Sequence, residues 1–146
     1  MLFSEARGRK VVSSSTASTV GKVSRLVIDP TTRAVAGVQL KKKTERGDML
    51  RWSDITAFGA DAVTVTDADR VGDGGDTVQA LSGKAHRVLG KRVLTSTGDE
   101  LGTVADVDFD ATSGALIALL VDGGTEVEAA RLVGVGSYAV VVRDGP

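Results

Sequence analysis

Apolar and polar residues alternate in short runs along almost the whole chain, and turn-forming residues cut the runs apart. Val20 to Asp29 alternates, Pro30-Thr31-Thr32 turns, and Ala34 to Gln39 alternates again. Side chains on an extended strand point to opposite faces in turn, so this two-residue period predicts half-buried β-strands. No stretch of 11 residues or more keeps a helical period. The best short helical segments are Trp52–Ala57 and Thr77–Ala85, a turn or two each. The pattern predicts an all-β chain.

The same pattern is read twice. Gly8-Arg9-Lys10-Val11-Val12, Val20-Gly21-Lys22-Val23, Leu26-Val27-Ile28-Asp29 and Ala34-Val35-Ala36-Gly37-Val38 return as Gly90-Lys91-Arg92-Val93-Leu94, Leu101-Gly102-Thr103-Val104, Val107-Asp108-Phe109-Asp110 and Ala115-Leu116-Ile117-Ala118-Leu119. The spacing is 81 or 82, and it falls to 77 for Phe58 to Val65 against Val135 to Val142. The shortening lies between Leu40 and Leu50. A length change confined between two apolar runs marks a hairpin loop. Asp29 and Asp110 each stand just before a turn, where a carboxylate accepts backbone N–H bonds two residues on. Two units are expected, residues 1–66 and 84–144, joined by a Gly/Asp-rich linker at 67–83 containing DADRVGDGGD, with Val78 and Leu81 opening the second unit. Short strands in units this small bury their edges best by closing into barrels of about five to six strands.

Composition narrows the core and the chemistry. With aromatic residues at 3 % the core has to be aliphatic, which suits strands. The absence of cysteine excludes disulfides and thiolate catalysis and fits a reducing compartment, so a cytoplasmic location is expected. The apolar stretch Ala115–Val121 is far shorter than the ~20 residues of a membrane helix. A net charge of -1 gives no general nucleic-acid footprint. It conceals an asymmetry, however: residues 1–70 carry 12 Lys and Arg against 8 acids, and residues 71–146 carry 6 against 11.

The repeated strings resemble the PRC-barrel family, found as the cytoplasmic domain of the photosynthetic reaction-centre H subunit and as the C-terminal domain of a ribosome-maturation factor. GRKVV, VGKV, LVIDPTTRAVAGV and FGADAVTV carry the resemblance in the first unit; GKRVL, LGTV, VDFDATSGALIAL and VGSYAVVV carry it in the second. Together they span about 120 of the 146 residues. Two departures are Arg33, where a turn glycine is common, and Tyr138 at the position of Asp61. The resemblance implies two tandem small barrels and docking or assembly in place of catalysis. It implies no catalytic set, no cofactor and no particular partner.

The residues themselves offer few chemical candidates. His86 has no second histidine or cysteine to form a metal site or a relay, and is expected at the surface. The glycines at 72–75 follow no strand-to-helix phosphate pattern. Asp106, Asp108 and Asp110 alternate with Val107 and Phe109, so the carboxylates share one strand face. That face suits a basic partner or solvent better than a cation. An EF-hand fails because its glycine position is Ala111 and its glutamate position is Ile117. Arg25 and Val27 occupy the positions of Asp106 and Asp108, so one unit's face is basic and apolar while its copy is acidic, and Arg25 is expected to meet Asp106 or Asp108 across a barrel or subunit contact. Lys41, Lys42, Lys43 and Arg46 lie on the longer hairpin and are candidates for an acidic protein, a lipid or phosphate, with Trp52 the one nearby aromatic for stacking. The expected function is a non-enzymatic adaptor that docks a protein partner or forms a homodimer. An accessory role in RNA or ribosome maturation, and a small-ligand or cation-binding barrel, are the alternatives.

Overall fold

A computed structural model describes residues 1–144. The first unit holds β1 (Lys10–Ser13), β2 (Ser18–Asp29), β3 (Ala34–Thr44), β4 (Gly47–Arg51), β5 (Ile55–Phe58) and β6 (Ala62–Val65), in the order β4-β3-β2-β1-β6-β5. The second holds β7 (Arg92–Thr95), β8 (Glu100–Phe109), β9 (Leu116–Val121), β10 (Thr125–Glu128), β11 (Leu132–Val135) and β12 (Val140–Val142), in the order β10-β9-β8-β7-β12-β11. These are two tandem small β-barrels. Pairing is antiparallel except where β1 meets β6 and β7 meets β12. In each unit one long strand serves both halves. The first part of β2 pairs with β1 and its second part with β3, with irregularities in register that let it bend. β8 does the same between β7 and β9.

The repeat is kept down to single hydrogen bonds. Gly8 N–H donates to Val23 O and Gly90 N–H to Val104 O, each at 2.8 Å; Ser14 N–H donates to Val65 O and Ser96 N–H to Val142 O, again at 2.8 Å. The turn aspartates act as expected: Asp29 Oδ1 accepts from Thr31 N–H at 2.9 Å and Asp110 Oδ1 from Thr112 N–H at 2.8 Å. Ser13 and Thr95, the two buried polar residues among those described, each share a hydrogen bond of 3.0 Å with the hydroxyl two residues on.

The segment between the barrels is folded, not loose. Val71 and Val78 are buried, and α2 (Gly75–Leu81) lays Val78 against Val27 and Met49 in a small apolar cluster. Gly72 exchanges two backbone hydrogen bonds of 2.9 Å with Met49, closing the free edge of β4. Val78 therefore completes the first barrel instead of opening the second, because the apolar surface nearest to it belongs to β2 and β4. Gly74, at φ 81°, makes the tight entry to α2 possible: a Cβ there would lie 2.7 Å from Val78 Cγ1.

The barrels pack on each other through related surfaces. Val35 N–H donates to Gly114 O at 2.8 Å and Leu116 N–H to Arg33 O at 2.9 Å, so the β2–β3 turn lies antiparallel to the β8–β9 turn. Arg33 Nε reaches Leu132 O at 2.9 Å, while the opposite turn places Gly114 on the ring of Trp52. One hydrophobic core runs through both barrels. At its centre Phe109, fully buried, makes edge-on contacts with Phe3, Trp52 and Phe58.

Candidate functional site

β2, β3 and the segment before β7 enclose a cleft of about 430 Å³, with α1 (Phe3–Ala6) at one end. The alternation along β2 sets its chemistry. Leu26 and Ile28 turn into the core, and Ser24 and Arg25 reach the cleft from the strand's bulge. Phe3 and Val88 add to the apolar floor, while Arg7, Arg25, Lys41 and Arg87 supply cations against a single carboxylate, Asp48. His86 lies on the wall as well.

Arg25 is fixed there. Its Nε donates to Gln39 Oε1 at 2.6 Å, its Nη2 donates to Ser82 O, and Gln39 Nε2 in turn donates to Asp48 Oδ2 at 3.0 Å. Burial, then the like charge of Arg87, lowers the pKa of Arg25 below its ordinary value, partly opposed by Asp48. Lys91 is lowered in the same direction, by burial and by Arg87.

The sequence candidates separate into distinct places. Arg25 does not meet Asp106 or Asp108 within the chain, because Ser82 and Gln39 hold it on the first barrel. Val27 is 1 % exposed beneath α2, so it offers no surface to a partner. Trp52 stacks on Phe58 and meets Phe109 edge-on in the seam between barrels, which removes its ring from single-strand stacking. Lys41, Lys42, Lys43 and Arg46 are exposed on the β3–β4 hairpin, where Arg46 pairs with Asp69 at 3.3 Å.

The aspartates hold the chain's first residues. Asp106 accepts from Ser4 N–H at 3.1 Å and from the Ser4 hydroxyl, Asp108 Oδ1 lies 3.0 Å from the Met1 amine, and Asp110 closes its own turn. Among the described residues no three His, Cys, Asp or Glu side chains converge on one point. Sequence reasoning missed the cleft, since residues 7, 25, 41 and 87 come together only in the fold.

Comparison with known proteins adds one finding at the level of family. The PRC-barrel domain model matches residues 83–145, the second barrel. The first barrel repeats the second barrel's strand order and several of its backbone hydrogen bonds. No curated protein matches the chain. Among the described residues no helix is long and apolar enough to cross a membrane. The second barrel is thus similar to the PRC-barrel domain, a fold of protein interaction and assembly.

Proposed function

We propose that the protein is a non-enzymatic adaptor that docks an acidic protein surface through the first barrel. The β3–β4 hairpin carries this reading: Lys41, Lys42 and Lys43 project into solvent, and none of the three has an acid within ion-pair reach among the described residues. The PRC-barrel match of the second unit supports docking over catalysis. Exposed cations add little to stability, since surface pairs contribute only about 0–1 kcal/mol, but they orient and speed an encounter. The seam already joins two related barrels face to face, so self-association into a homodimer would need another surface.

The test is affinity capture on the immobilised full chain, from extract treated with or without nuclease, comparing wild type with Lys42→Glu/Lys43→Glu. The expected result is a protein partner that survives nuclease and falls about tenfold or more in yield with the reversed charges, roughly the effect of 1.4 kcal/mol. Capture confined to ribosomal particles and lost with nuclease would favour the RNA-accessory role instead.

A further inference from the structure

We propose that the cleft between β2, α1 and residues 86–89 binds a small organic anion, a carboxylate or phosphate carried on a short apolar body. This site differs from the hairpin tip used above, sharing only Lys41 with it.

The first observation is charge. Arg7, Arg25, Lys41 and Arg87 converge on a cleft that contains one carboxylate, and that carboxylate is already accepting from Gln39. Arg7, Lys41 and Arg87 have no ion-pair partner among the described residues. A Cβ built on Gly8 would lie 3.8 Å from Lys41 Nζ, which places that ammonium beside the backbone next to Arg7. Arg7, Lys41 and Arg87 are exposed and Arg25 is half-buried, so it is around Arg25 that holding like charges together raises the free energy of the empty cleft. The lowered pKa of Arg25, caused by burial and by Arg87, has the same origin. An anion in the cleft relieves both.

The second observation is preorganisation. Gln39 and the Ser82 carbonyl hold the Arg25 guanidinium through Nε and Nη2, leaving Nη1 without a partner among the described residues. A planar guanidinium fixed in this way presents donors in the geometry that carboxylate and phosphate oxygens accept. Solvated surface arginines lack such anchoring, and immobilising them would oppose binding.

The third is shape. Phe3, Leu26 and Val88 line the floor, and Leu89, 38 % exposed, stands at the rim. A cleft of about 430 Å³ falls in the range of small-molecule sites, which combine an apolar lining with a few placed polar groups. A bare inorganic ion would leave that floor wet. An apolar tail beneath an anionic head covers it.

The experiment is amide-resolved NMR titration of the full chain with octanoate, hexyl phosphate, inorganic phosphate and hexanol. Saturable binding is expected for octanoate, hexyl phosphate or both, moving the amides of residues 24–28 and 86–89. Which of the two binds identifies the head group. Inorganic phosphate should bind at least about tenfold more weakly, and hexanol should not saturate. Arg87→Gln, an exposed position, and Arg25→Gln should each weaken binding about tenfold or more, while Lys42→Gln leaves it unchanged. If Arg25→Gln fails to fold, Arg87→Gln decides the matter alone. Failure of both amphiphiles to saturate, equal loss in Lys42→Gln, or shifts confined to other residues would overturn the proposal. The adaptor reading would stand in that case, since it rests on Lys42 and Lys43.

Discussion

Arg33 and Gly114 occupy matching turn positions, and both are left-handed, at φ 55° and 82°. Their surroundings differ. Arg33 spends its side chain on Leu132 O, whereas Gly114 leaves no room, with a Cβ there 2.8 Å from Trp52 Cε2. Gly114→Ala should therefore destabilise the fold by about 2–4 kcal/mol, combining left-handed strain with overpacking, and urea denaturation checks it. Placing a side chain at Arg33's position is already tolerated, so the same backbone angle is not the decisive term. At this scale the sequence was readable wherever the cause is local. The Asp29 and Asp110 turns depend on residues two positions away and could be anticipated. Val27 could not, because its cover comes from Val78, far along the chain.

The segment between barrels shows where composition misleads. Its glycines and aspartates have the character of a linker, but two valines spaced through it, Val71 and Val78, are both buried. A helix of seven residues is too short to persist alone, so α2 exists because Val78 docks on Val27 and Met49. Val78→Ala removes two buried methyl groups and should lower stability by about 1–2 kcal/mol, with faster amide exchange concentrated in residues 75–81 and at the Gly72–Met49 pair. Uniform loss of protection across both barrels would show that α2 is not a separate local unit. The strands themselves were legible, since a two-residue period and a repeated order of strings leave little freedom in where they begin and turn. Their number, six in each unit, follows from the pairing.

For the molecule as a whole, two barrels could be anticipated but their contact could not. The repeat specifies each unit's inward face; it says nothing of which outward faces match. One signal was present. Of the five aromatic residues, Phe3, Trp52, Phe58 and Phe109 all gather at the seam, and each aligns with an aliphatic residue in the other repeat: Ala85, Ala129, Val135 and Ile28. Aromatics that fail to repeat mark where the units diverged to fit each other. Phe109→Ala should cost about 3–5 kcal/mol and lower the melting of both barrels together, because the same ring packs against residues of each. Two separated calorimetric transitions, with the first barrel unmoved, would contradict a shared core. The surface charges diverged as well, and the capture and titration experiments above address the basic end.

The asymmetric seam also bears on ancestry. In a homodimer of single barrels every substitution appears twice, so an aromatic gained on one side is gained on the other and must fit in both places. Joining the barrels in one chain lifts that restriction and holds the second barrel near the first at an effective concentration on the order of millimolar. Under such tethering even a modest contact stays closed, and each half is free to accumulate changes its twin does not share. Trp52 against Gly114 on one side of the seam, with Arg33 on the Leu132 carbonyl on the other, is a pairing open to a fused chain and closed to a symmetric dimer.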